Sequence, residues 1–108
     1  MLVLDNIRIA FRLGQVRWRV HAQQRLFERH IWRDDIFNVV MNGEVIESYS
    51  SNKPYPCYLI YGNVDTRVLH VLIGWDVADE TAYVITAYEP DEQHFEADLK
   101  TRRRPAND

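Results

Sequence analysis

Val68-Leu69-His70-Val71-Leu72-Ile73-Gly74-Trp75 reads as one strand, a succession of β-branched and long apolar side chains with a single imidazole set among them. Residues 45–49, 57–61 and 82–88 have the same character, and the turn signals Ser51-Asn52-Lys53-Pro54, Gly62-Asn63 and Asp79-Glu80 separate the four stretches. Connections this short favour strands that pair with their sequence neighbours in an antiparallel meander.

Upstream of Gly43 the apolar period changes. Val3, Ile7, Ala10 and Phe11 fall at helical spacing, with Asp5 or Asn6 to cap the helix and Gly14 to end it. Val16, Trp18 and Val20 then alternate with Arg17, Arg19 and His21, which predicts a short strand with one wet face. Residues 21–30 return to helical spacing, with Ala22, Leu26, Phe27 and His30 on one side and His21, Arg25, Glu28 and Arg29 on the other. Residues 33–42 predict another helix, with Ile36, Phe37, Val40 and Met41 apolar, Asp34 and Asp35 in its first turn and Gly43 past its end. Helices followed by a meander predict an α+β fold, the helices packed on one face of a sheet of four to five strands. Pro90-Asp91 stops the last strand, Phe95 with Leu99 suggests a final helical turn, and residues 101–108 are expected to be a flexible basic tail. With no repeat and no internal linker, residues 1–108 are expected to form a single domain.

Composition narrows the class. Of the 108 residues 46% are apolar and 27% charged, enough for a packed core and unlike a disordered chain. The apolar runs are too short to span a bilayer, no signal-peptide pattern opens the chain, and the lone Cys57 fits a reducing compartment. A soluble, cytoplasmic protein with no membrane partner is expected. The formal net charge is -3, but it is segregated. Residues 1–33 carry seven arginines against Asp5 and Glu28, residues 34–98 carry thirteen acids against Lys53 and Arg67, and residues 99–108 are basic again. Arginine, the better fork for phosphate oxygens, outnumbers lysine eleven to two. An acidic total argues against indiscriminate nucleic-acid binding, while the two basic ends leave room for one local patch.

Two constellations carry possible chemistry. His21, Arg25 and Arg29 recur every four residues, so they stack along one helical stripe where guanidinium groups hold phosphate oxygens and an imidazole moves a proton. The alternative is a solvated face in which Glu28 pairs with a neighbouring arginine. His70 shares a strand face with Val68 and Leu72, and Thr86 and Tyr88 share one on the next strand, which brings imidazole, hydroxyl and phenol together if the register allows. Its alternative is a core histidine satisfied by a backbone carbonyl. The histidines at 21, 30, 70 and 94 and Cys57 lack zinc-like spacing, and there is no glycine-rich phosphate loop, so neither a metal nor a cofactor is expected. Three tryptophans and six tyrosines are more often core than base-stacking surface.

The runs His21-Ala22-Gln23-Gln24-Arg25, Glu28-Arg29-His30-Ile31 and Asn42-Gly43-Glu44-Val45-Ile46-Glu47 resemble the bacterial domain of unknown function numbered 4258. Pro54-Tyr55-Pro56, Leu69-His70-Val71 and Thr86-Ala87-Tyr88-Glu89-Pro90-Asp91 continue the same order, so the resemblance covers roughly residues 3–104. Trp32 departs from it, standing where the family often has a Ser or Thr cap. That family in turn resembles RelE/ParE-like toxins of toxin–antitoxin pairs. The resemblance implies helices on a curved antiparallel sheet whose open face holds an RNA site, and a small zinc-finger or helix-turn-helix antitoxin as partner.

The expected function is a metal-independent endoribonuclease-like toxin of a type II toxin–antitoxin system, acting on RNA either free or on the ribosome. His21, His70, Tyr88 and Thr86 are its expected catalytic set, and Arg25 and Arg29 its expected phosphate-binding residues. RNA supplies its own nucleophile, the ribose hydroxyl, so proton transfer and charge stabilisation suffice. The alternative is a non-catalytic RNA- or partner-binding module of the same fold.

Overall fold

The computed structural model describes residues 2–104. Its elements are α1 (Val3–Arg12), β1 (Val16–Trp18), α2 (Val20–Glu28), α3 (Arg33–Asn42), β2 (Glu44–Tyr49), β3 (Cys57–Val64), β4 (Arg67–Asp76) and β5 (Thr81–Tyr88). The strands form one open sheet in the order β1-β5-β4-β3-β2. β2 to β5 are the expected antiparallel meander, but β1 lies parallel to β5, with Val16 beside Ala82 and Trp18 beside Val84. The sheet is therefore mixed, which corrects the wholly antiparallel expectation. Short connections dictate the meander; the β1–β5 pairing joins segments more than sixty residues apart, and no local signal announces it.

Helices α1 and α2 end alike. Gly14 and His30 take left-handed backbone angles (φ 74° and 55°), and the following residues Gln15 and Ile31 donate back to Ala10 and Leu26 carbonyls at 2.8 and 2.9 Å. This C-terminal motif satisfies orphan carbonyls and brings buried Leu26 and Ile31 together. It also takes His30 off the apolar side of α2, where periodicity alone puts it, and leaves it exposed. Val20 opens α2 instead of extending β1. No side chain caps α3 at Trp32; the Asp35 carboxylate accepts the Trp32 N–H at 2.8 Å instead. Asp5 does the same for Leu2 at 3.3 Å, so it acts from inside α1 and not as the cap residue.

Ile60, Leu69, Val71, Ile73, Ala82 and Val84 line one sheet face and bury against Ile7, Phe11, Leu26, Ile36, Val39 and Val40 of the helices. The opposite face carries Tyr61, His70, Leu72, Thr86 and Tyr88, as the register requires. A C-terminal strap, residues 91–103, folds over one end of that face. It is built from turns and a single bridge, Phe95 to Arg102, and not from the expected helical turn. Thr101 accepts the Glu96 N–H at 2.7 Å, and Lys100 and Arg102 reach Glu44 and Glu47 of β2 at 2.8 and 3.1 Å. The first part of the basic tail thus joins the strap, while residues 105–108 lie outside the described residues.

Candidate functional site

β1 is only three residues long, so the second half of β5 has no strand beside it on that edge. Arg29, the C-cap of α2, occupies the gap. Its Nη1 donates to the Ala87 carbonyl at 2.7 Å and to Thr86 Oγ1 at 3.3 Å, answering a β5 carbonyl that a neighbouring strand would otherwise bond. Arg67 clamps the same corner, donating to the carbonyls of His30 (2.7 Å) and Arg29 (3.1 Å) and pairing with Glu89 at 3.2 Å.

His70 stands directly opposite Tyr88 in the β4–β5 ladder and has no exposed surface. Its Nε2 lies 2.6 Å from the Leu99 carbonyl oxygen, which can only accept, so Nε2 carries the proton. Nδ1 of the neutral ring then accepts from the Tyr88 hydroxyl at 3.3 Å. Phe95, Tyr88 and Tyr61 close around the imidazole with ring centroids at 4.6, 5.3 and 6.1 Å. Burial drives the His70 pKa down, against the raising effect of the Leu99 bond, and burial drives the Tyr88 phenol up. Both groups are held neutral.

A cleft of about 530 Å³ opens beside them, lined by Arg29, Tyr88, Glu89, Pro90, Asp91, His94, Phe95 and Arg102. The Asp91 carboxylate accepts the backbone N–H of Gln93 (2.9 Å) and His94 (3.0 Å) and lies 2.8 Å from His94 Nδ1. Since a carboxylate only accepts, Nδ1 donates, and Nε2 has no hydrogen-bond partner among the described residues. The His94 hydrogen bonds hold Asp91 below the ordinary carboxylate range. Arg102 lies over the Phe95 ring at 4.7 Å and forks onto Glu47 at 3.1 and 3.2 Å. Burial pushes Glu47 upward, but the bonds from Arg102 and Tyr49 overcome it and keep the carboxylate ionised.

Of the six residues singled out in the sequence, Arg29 and Tyr88 line the cleft, Thr86 holds Arg29, and His70 backs Tyr88 from the interior. His21 and Arg25 lie on the exposed side of α2 and are not part of the lining. Sequence reasoning missed Asp91, His94, Arg102 and Glu47. The first pair had a readable signal, an Asp three residues ahead of a His just after the strand-ending Pro90. Arg102 had none, because its partner Glu47 lies fifty-five positions away. Among the described residues no three His, Cys, Asp or Glu side chains converge as metal ligands would, and no helix is long and apolar enough to cross a membrane.

An open sheet with helices on one face and a strap-bounded polar cleft on the other defines the class of α+β domain. The chain belongs to the family described as Domain of unknown function (DUF4258), which matches residues 18–89. That span runs from β1 into the cleft wall at Glu89 and leaves out α1 and the strap. No curated protein and no solved structure matches the chain.

Proposed function

We propose that this domain cleaves RNA without a metal, in the manner of a RelE/ParE-like toxin of a toxin–antitoxin pair, and that the cleft beside β5 is where it does so. The observation that carries the reading is the convergence of two arginines, a phenol and an Asp-held imidazole on one cleft. His94 Nε2 takes the proton of a ribose 2′-hydroxyl, whose oxygen attacks the adjacent phosphorus. Arg29 and Arg102 donate to the non-bridging oxygens as charge builds there. Tyr88, a half-buried phenol whose pKa burial raises further, turns its hydroxyl from His70 to the leaving 5′ oxygen and gives it the proton. His70 is then a positioning residue that acts through Tyr88, and Thr86 positions Arg29. His21 and Arg25 extend the basic stripe along α2 and receive the flanking phosphates. The ribosome as the place of cleavage and a small zinc-finger or helix-turn-helix antitoxin belong to the same proposal, as does a cytoplasmic location.

The test is incubation of end-labelled single-stranded RNA, free and with ribosomes, with the purified chain in EDTA. Cleavage with cyclic-phosphate ends is expected, and His94→Ala is expected to slow it about a hundredfold or more. His21→Ala should change the rate by no more than a few fold. Intact RNA at stoichiometric protein in both settings overturns the enzymatic reading. Binding without cleavage selects the non-catalytic module instead. One observation favours that second reading: the His94 and Asp91 side chains are 66% and 56% exposed, so water is not excluded from the dyad.

A further inference from the structure

The strap is fastened to the sheet at His70. The Leu99 carbonyl accepts the Nε2–H of His70 at 2.6 Å, and buried Phe95 lies against the same ring with centroids 4.6 Å apart. Two ion pairs to β2 add to this, Lys100 to Glu44 at 2.8 Å and Arg102 to Glu47 at 3.1 Å. Both cationic side chains are well exposed, and exposed pairs contribute little. Within itself the strap is better tied. The Glu96 N–H donates to the Thr101 carbonyl at 2.7 Å, the Arg103 N–H to the His94 carbonyl at 2.9 Å, and the Asp98 carboxylate accepts the N–H groups of Lys100 and Thr101 at 2.9 Å each. The strap is therefore a unit of its own that meets β5 only at Pro90-Asp91, and one imidazole is its main anchor.

We propose that the strap is a pH-operated lid hinged at Pro90-Asp91, shut over His70 near neutral pH and lifted in mild acid while the helices and sheet stay folded. Nε2 of the shut ring already carries a proton, so a second goes to Nδ1, and the Tyr88 hydroxyl turns to accept from it. Both hydrogen bonds survive; water is what the new cation lacks. A buried cation needs a counter-charge, and its surroundings supply none. Tyr61 of β3 and Tyr88 of β5 present phenols, and Arg29 at the end of α2 is a further cation in the cleft wall with Tyr88. Glu47 of β2 favours the proton but is forked by Arg102, and Glu44 is taken by Lys100. In the strap, Asp91 and Glu96 are engaged by His94 and Arg103. Arg102 opposes the proton, and Lys100 lies 4.7 Å over the Tyr61 ring beside it, so the shut strap sets two cations near a third. Lifting wets the imidazolium, removes Lys100 and Arg102 and frees Glu47 to face it. The proton binds the lifted form and so populates it.

The lid is tested without RNA, by amide hydrogen exchange of the full chain followed by NMR. Once lifted, the strap is an isolated two-stranded turn of marginal stability, and its Glu96 and Arg103 N–H groups exchange. Their protection, corrected for intrinsic exchange, is expected to fall several-fold between about pH 7.5 and about pH 5.5, with about tenfold the most that one proton can give. Amides of the β3–β4 ladder should keep theirs. His70→Gln leaves a donor for the Leu99 carbonyl but no titration, so its strap should exchange independently of pH. Phe95→Ala loosens the lid and should bring the titration of the His70 ring back toward about 6.5. Strap amides that follow the ladder, the same pH dependence in His70→Gln, or a wild-type His70 ring that titrates at about 6.5 overturns the proposal. The consequence for activity rests on the function proposed above: lifting carries His94 and Arg102 out of the cleft, so RNA cleavage should fall over the same pH range. A strap that lifts in a chain that cuts no RNA upholds the lid and overturns the cleavage reading alone.

Discussion

A histidine with no exposed surface must have both ring nitrogens answered, and at His70 the Leu99 carbonyl and the Tyr88 hydroxyl answer them. The proton inventory then fixes a pH dependence. Burial lowers the His70 pKa from its ordinary 6.5, so in acid the unfolded chain takes up a proton that the folded chain refuses. The stability this group contributes is complete above about pH 6.5 and is lost as the pH falls toward the lowered folded value. The melting temperature of the wild type is expected to drop between about pH 7 and about pH 5, ahead of the carboxylates, whose depressed values place their loss lower still. Asp98, held at about 2 by the N–H groups of Thr101 and Lys100, is the extreme case. His70→Phe should flatten the slope in that window. It should also cost about 1–3 kcal/mol in urea unfolding, since the half-buried Leu99 carbonyl and Tyr88 hydroxyl lose their bonds. An unchanged slope would show that another group titrates there. The sequence offered His70 both as an active imidazole and as a satisfied core residue. What it could not show was Leu99, twenty-nine positions away, arriving in left-handed conformation to supply the carbonyl.

Elements follow the sequence where the controlling signal is local. α3 has the bounds its pattern predicts, Arg33–Asn42, because Asp34, Asp35 and Gly43 mark both ends within the segment itself. Gly43 is required for more than ending a helix. A Cβ on it would run into the carbonyl oxygens of Val39 and Tyr61, both backbone atoms, where α3 passes into β2 beside β3. Gly43→Ala is therefore expected to destabilise by about 1–3 kcal/mol by forcing those backbones apart, measured as a lower denaturation midpoint. A variant as stable as the wild type would mean that the α3–β2 corner relaxes freely. Gly62-Asn63 shows the limit of local reading. The pair has turn composition yet lies inside β3, and the chain reverses instead near Asp65, which takes the left-handed conformation (φ 54°). A Cβ at Gly62 would press on Val39 of α3 at 3.0 Å, so glycine suits this strand position for a packing reason that only the assembled layers define. Arg67 belongs to this scale too. Its bonds to the Arg29 and His30 carbonyls just past α2 and to Glu89 lock a helix end to a strand start and a strand end, so Arg67→Gln should cost about 1–3 kcal/mol and loosen Arg29 with it. Chemical-shift changes at Arg29 and Thr86 without any change at the far end of the sheet would report that coupling.

At the scale of the whole molecule, the segregated charge decides how RNA would be held under the proposed function. If all seven arginines of residues 1–33 met phosphates, the logarithm of affinity would fall with the logarithm of salt with a slope of about -5 for a single strand. The fold does not allow that. Arg8 is turned inward to the carbonyls of Val40 and Gly43 (2.9 Å each), and Arg33 sits over Trp18 on the helix side. Arg29 and Arg102 line the cleft, and Arg25 lies one helical turn before Arg29. Glu89 and Asp91 share the cleft and set a limit on its attraction for phosphate. Three phosphate contacts predict a slope near -2, and Arg29→Ala should reduce its magnitude by about 0.7, while Arg12→Ala should leave it alone. Filter binding of a short single-stranded RNA across a salt series measures all three. A slope near -5, or equal sensitivity to Arg12 and Arg29, would place the RNA along the whole basic segment and away from His94. The phosphate would then lie out of reach of the one histidine that lines the cleft.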